Sequence, residues 1–138
     1  RRLATAGRPM KPKPHVLFID DDATTRKVFT AGLAMAAIPT HIVASAEEAA
    51  KVLEEKPVDV IVTDLMMPNF SGVDLIKAVR EADYTKDIPI LVFTSGGNPE
   101  MIQEAALAGA SEIIQKYTTP PARLIEKILQ AHEQSARK

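Results

Sequence analysis

Val58-Asp59-Val60-Ile61-Val62-Thr63-Asp64-Leu65-Met66-Met67-Pro68 decides the fold. Its first half is an apolar run rich in β-branched residues, and it stops at a carboxylate followed by a turn. Such a run, flanked by helical patterns, fits a central strand of a parallel sheet, buried on both faces. In open α/β sheets, ligands and chemistry collect beyond the carboxyl ends of the strands. Asp64 stands at that end. The residues that close the other strands are therefore the next question.

Upstream, His15-Val16-Leu17-Phe18-Ile19 reads as a short buried strand running into Asp20-Asp21-Asp22. Asp22 is a helix N-cap, and the helix after it carries Val28, Phe29, Gly32, Leu33 and Ala36 on one side before Pro39. A second strand over residues 40–44 leads to Ser45-Ala46-Glu47-Glu48, a capping-box match opening a helix that Pro57 ends. Downstream, Asn69-Phe70-Ser71-Gly72 reads as a turn before a helix with Val73, Ile76 and Val79 at three-residue steps. Ile88-Pro89-Ile90-Leu91-Val92-Phe93 is a fourth strand, ending at Thr94-Ser95-Gly96-Gly97. Asn98 and Pro99 then cap and start a helix with Ile102, Ala105 and Ala106, closed by Gly109. Residues 112–115 form a fifth strand, Lys116 follows it, and a last helix begins near Pro120 and Pro121. Its inner stripe is Leu124, Ile125, Ile128 and Leu129. Strands alternating with helices through short loops predict an α/β fold with a doubly wound, five-stranded parallel sheet.

The length of 138 residues fits one domain, placed at 15–138. With no cysteine, disulfides, thiolate metal sites and a cysteine nucleophile are excluded. No apolar run approaches the roughly 18 residues of a membrane span, and no secretory signal is evident, so the expected location is cytoplasmic. The net charge of −1 hides an asymmetry, because residues 1–14 hold five basic residues and no acid. That segment also has three prolines and no apolar period. It reads as a disordered tail or an appended remnant, and no function is assigned to it.

Four of the five strands finish in a reactive group: Asp20 and Asp21, Asp64, Thr94, and Lys116. In a parallel sheet these ends share one edge, so the groups converge although they are far apart in sequence. Acids held close repel one another and call for a cation. Three carboxylates and one lysine carry about −2, which suits Mg²⁺, an ion of oxygen ligands that commonly uses one or two carboxylates plus a phosphate oxygen. The cluster has no histidine or cysteine, which disfavours zinc. A carboxylate beside Mg²⁺, with a lysine and a hydroxyl at hand, can accept a phosphoryl group. In that scheme Asp64 is the nucleophile while Thr94 and Lys116 hold the transferred oxygens.

The chain resembles a response-regulator receiver domain of two-component signalling (CheY-like) over roughly residues 15–135. The resemblance rests on Asp20-Asp21, the Asp64-Leu65-Met66-Met67-Pro68 block, Gly72, Thr94, Ala108-Gly109-Ala110 and Lys116. The spacing agrees too: 43 residues from Asp21 to Asp64, 30 to Thr94 and 22 more to Lys116. The resemblance implies a flavodoxin-like sheet of strand order 2-1-3-4-5. It implies that Asp64 accepts a phosphoryl group from a histidine on a sensor kinase or phosphotransfer protein. Mg²⁺ would be held by Asp20, Asp21, Asp64 and the backbone carbonyl of Met66, and a downstream protein would read the face of helix 4, strand 5 and helix 5. Neither nucleic acid nor membrane is an expected partner, and only self-phosphorylation and self-dephosphorylation chemistry is expected.

Two positions depart from the family pattern. Tyr117 follows Lys116 where proline in a cis bond is usual, which favours a trans bond and leaves the reach of Lys116 open. Ile113 occupies the place of the usual switching aromatic, so the output motion is expected to be unconventional, with Gly96 and Gly97 in the moving loop. These departures support an alternative, a phosphorylation-independent (pseudo-receiver) interaction domain; the intact acidic site opposes it. An aspartyl-phosphate phosphatase is disfavoured because Met66 stands where its second aspartate would be.

Overall fold

The computed structural model describes residues 13–67, 70–96 and 98–136. Most of the basic segment, the Pro68-Asn69 end of the turn, and Gly97 lie outside the described residues. Five strands, β1 (Val16–Ile19), β2 (Thr40–Val43), β3 (Val60–Thr63), β4 (Ile90–Thr94) and β5 (Glu112–Gln115), form one sheet. Every pairing in it is parallel, and the order is β2-β1-β3-β4-β5. The helices are α1 (Ala23–Met35), α2 (Ala46–Glu55), α3 (Gly72–Glu81), α4 (Pro99–Ala108) and α5 (Pro121–Ala136).

Alternation along the strands divides the core into two layers. Val16 and Phe18, Val60 and Val62, and Leu91 and Phe93 point to α1 and α5, where they meet Phe29, Leu33, Leu124 and Ile128. Leu17, Ile19, Ile61, Ile90 and Val92 point the other way, toward Ala49, Ile76, Val79 and Ala105 of α2, α3 and α4. Phe18, Phe29 and Phe93 form an aromatic cluster, the closest centroids 4.8 Å apart between Phe29 and Phe93. Burying each ring contributes about 1.5–3 kcal/mol.

Local chemistry sets the helix starts. Asp22 accepts from the Thr25 amide, Ser45 from that of Glu48, Ser71 from that of Asp74 and Asn98 from that of Met101, so each satisfies an otherwise orphaned N–H. Glu48 reaches back one residue past the cap, accepting from the Ala44 amide at 3.3 Å and from the Ser45 hydroxyl at 3.2 Å rather than from the Ser45 amide that a full box would use. Gly109 follows α4 at φ 122, a left-handed conformation that favours glycine.

Some expectations are corrected. Val28 is 47% exposed, because the inner face of α1 runs through Thr25, Phe29 and Leu33 at four-residue steps. Ala106 is likewise exposed, with Ala105 on the inner side of α4. Of the expected turn over 69–72, Asn69 lies outside the described residues, while Phe70 and Ser71 form a strand and Gly72 already begins α3. Met66–Met67 pair antiparallel with Phe70–Ser71 in a two-residue ribbon, and α3 begins at once.

Candidate functional site

All the acids and the lysine singled out above reach the carboxyl edge of the sheet, as parallel pairing requires. Asp20 follows β1, Asp64 follows β3, and Lys116 follows β5. One carboxylate oxygen from each of Asp20, Asp21 and Asp64 lies within 4.8 Å of the other two. Asp20 and Asp64 are buried, while Asp21 is exposed and forms the outer lip. The Lys116 ammonium sits between the two buried acids, 2.7 Å from Asp20 Oδ2 and 3.1 Å from Asp64 Oδ2. Its Nζ lies 5.9 Å from the centroid of the Phe93 ring, at the top of the aromatic cluster.

The remaining hydrogen bonds orient the carboxylates. Asp64 Oδ1 accepts from the Leu65 amide at 2.7 Å, and Asp20 Oδ1 accepts from the Asp22 amide at 2.8 Å. Gly72 holds the far wall. A Cβ there would lie 2.3 Å from the Asp64 carbonyl oxygen and 2.7 Å from Leu65 Cα. Its amide donates to the Leu65 carbonyl at 2.7 Å, which ties the start of α3 to the site.

Two proton equilibria in the cluster are shifted, both upward. Burial pushes the Asp20 carboxyl above its usual range, and the Lys116 ammonium and the Asp22 amide only partly offset this. Burial also opposes the Lys116 ammonium, but Asp20 and Asp64 outweigh it and raise the lysine above its ordinary value. The two shifts therefore differ in cause: Asp20 is raised chiefly by its removal from water, whereas Lys116 is raised by the two acids it touches. Asp22 is held low by its hydrogen bond to the Thr25 hydroxyl, as an N-cap should be.

The donor set fits a hard divalent cation: three carboxylates, with no nitrogen or sulfur ligand among them. Met66 is 60% exposed and borders the same opening as Asp21, Met67 and Ser71. Thr94 is buried at the adjacent strand end, but its hydroxyl is engaged by its own loop, donating to the Gly96 carbonyl at 3.2 Å. Thr94 is therefore near the cluster without being bonded to it. No peptide bond among the described residues is cis, so Lys116 and Tyr117 are joined in trans, in a short 3-10 turn over Lys116–Thr118. The lysine reaches the acids regardless, and the ring of Tyr117 is 81% exposed. Ile113 is half-buried beside a cavity of about 150 Å³ that Thr94, Gly96 and Ile102 also line.

Two contacts escaped the sequence reading. Phe93 under Lys116 was legible only as core. Arg26 donates from α1 to the Asp20 carbonyl at 2.7 Å, and nothing in its spacing distinguishes it from a solvated helix residue.

A family model for the response regulator receiver domain matches residues 16–129. The chain belongs to the response-regulator receiver family. Receivers of this kind are signalling domains that work with histidine kinases or phosphotransfer proteins. Among curated relatives, the two-component response regulator ORR3 of rice, Oryza sativa subsp. indica, is 32% identical over 122 residues, covering 86% of this chain and 93% of that one. The chemotaxis response regulator CheY4 of Vibrio cholerae superposes with a TM-score of 0.79 at 29% identity, over 87% of this chain and 99% of the other. A CheY-like receiver domain protein from Methanospirillum hungatei JF-1 gives a TM-score of 0.84 at 21% identity, over 91% and 98% of the two chains, a likeness of fold. No helix of the described receiver is long and apolar enough to cross a membrane.

Proposed function

We propose that this receiver accepts a phosphoryl group on Asp64 from a histidine of a kinase or phosphotransfer protein, in a Mg²⁺-dependent reaction. The observation that carries the reading is the meeting of Asp20, Asp21 and Asp64 within 4.8 Å, with the Lys116 ammonium between the two buried acids. A carboxylate oxygen of Asp64 attacks phosphorus as the P–N bond to the donor imidazole breaks, and the bonding pair leaves with that nitrogen. Asp20, Asp21, Asp64 and the Met66 carbonyl would hold Mg²⁺, which neutralises charge on the transferring oxygens.

Lys116 is already at Asp64, so it can pair with a phosphoryl oxygen without travelling. Thr94 must first release Gly96, and bonds of 3.2 and 3.4 Å make that inexpensive. With Ile113 in place of a ring, the Gly96 loop is the moving part, and the cavity beside Ile102 gives it room. A downstream protein then reads the α4–β5–α5 face.

The test is incubation with a small acyl phosphate, with and without Mg²⁺, read by intact mass. A gain of one phosphoryl group that needs Mg²⁺ and is absent in Asp64→Asn is the expected result. No gain by the folded protein would replace this reading with phosphorylation-independent binding.

A further inference from the structure

Asp21 is the most exposed of the three acids, and its carboxylate has no hydrogen bond or ion pair among the described residues. Its direction therefore depends on the peptide that precedes it. That peptide begins at Asp20, where every polar atom is occupied. The Asp20 amide donates to the Val43 carbonyl at 3.2 Å, and its Oδ1 and Oδ2 accept from the Asp22 amide and Lys116. The fourth atom, the carbonyl oxygen, accepts from Arg26 Nη1 at 2.7 Å.

We infer that Arg26 is a positioning residue for the cation site: by fixing the Asp20 carbonyl, its guanidinium aims the Asp21 carboxylate. The peptide unit is planar, so holding its oxygen also sets the direction in which Asp21 leaves it. Arg26 closes the acidic loop from two sides, because its own amide donates to the Asp22 carbonyl at 3.0 Å. The inference rests on the Mg²⁺ reading above.

Positioning and simple charge predict opposite signs. Removing a cation beside a negative cluster would strengthen Mg²⁺ binding if charge alone mattered. Losing the aim of Asp21 would weaken it, and partners that orient metal ligands typically account for 10–100-fold in affinity.

The experiment titrates Mg²⁺ into the metal-free full chain, followed by amide chemical shifts, for wild type, Arg26→Gln, Arg26→Lys, Asp21→Asn and the Arg26→Gln/Asp21→Asn pair. Arg26→Gln is expected to bind about tenfold more weakly. Arg26→Lys, which keeps a donor, should stay within about threefold of wild type. The paired variant should bind no more weakly than Asp21→Asn alone. In the metal-free state, exchange of the Asp22 amide proton should quicken in Arg26→Gln. Unchanged or tighter Mg²⁺ binding by a folded Arg26→Gln overturns the inference, as does a further loss in the paired variant. Should wild type bind no Mg²⁺, the cation reading itself fails. Asp22 amide exchange then still decides whether Arg26 holds the loop: faster exchange supports that role, and unchanged exchange overturns it.

Discussion

Lys116 and Arg80 are long, half-buried cations at opposite edges of the same sheet, and they are satisfied in opposite ways. Lys116, at the carboxyl edge, faces two carboxylates. Arg80, at the end of α3, meets only carbonyls: Gly109 from Nε and Nη2 at 3.1 and 2.8 Å, and Lys86 and Ile88 from Nη1 at 2.8 and 2.6 Å. Burial depresses the proton affinity of Arg80, with Asp87 only partly restoring it, whereas that of Lys116 is raised by the acids it touches. The planar fork of arginine suits carbonyls from several loops, and Arg80 joins α3, the approach to β4 and the turn before β5. A compact ammonium suits a place where charge must change partners. One cation is closed in by carbonyls, and the other lies between two acids.

Separate substitutions can break that contrast. Lys116→Met should slow phosphorylation of Asp64 by a small acyl phosphate about 100-fold, the scale for losing one charge-stabilising donor; a rate within threefold of wild type, read by intact mass, would remove Lys116 from the chemistry. Arg80→Met should leave that rate unchanged and lower stability by about 2–3 kcal/mol, because it abandons three carbonyls, as denaturant titration would show. A large rate loss there would mean that the two edges are coupled.

Smaller effects sharpen the comparison. Asp20→Asn should stabilise the metal-free protein at neutral pH by about 1 kcal/mol, chiefly because a buried carboxylate no longer has to be held charged out of water. Because the folded pKa of Asp20 is raised, its contribution is fully favourable below its ordinary value of 3.8 and is lost as pH rises. The advantage of the Asn variant should therefore fade on acidification through that region, and a destabilised variant at pH 7 would contradict the burial account. The smallest effect is alkaline. Lys116 is raised above 10.5, so its ion pairs stabilise the fold below that pH and are lost as pH climbs through its folded value. Arg80 stays charged throughout. The stability difference between wild type and Lys116→Met should accordingly shrink above pH 10.5.

The sheet and the gathering of Asp20, Asp21, Asp64 and Lys116 at one edge of it were readable because each carries a local signature. Val60 to Thr63 and Ile90 to Thr94 are continuous apolar runs closed by polar groups, and parallel pairing leaves those groups nowhere to go but one edge. Arg80 and Arg26 were not readable. Their partners are backbone carbonyls, which every residue has, so their contacts with Gly109, 29 positions away, and Asp20, six away, leave no pattern. The ribbon at Met66–Met67 and Phe70–Ser71 is too short to show alternation. Val28 was misplaced because hydrophobicity alone does not say how far α5 wraps around α1. The reach of Lys116 depended on the course of the chain after β5, which its tripeptide context does not fix.

Gly72 has one more consequence, and it concerns heredity rather than chemistry. A side chain there would collide with the backbone of Asp64 and Leu65, not with a flexible group that could step aside. Its codon should therefore accept no change that adds a side chain. If residues 72 and 117 were each fully randomised and the populations screened for phosphoryl acceptance, the survivors should collapse to glycine at 72, while position 117, where Tyr117 is 81% exposed, should vary freely.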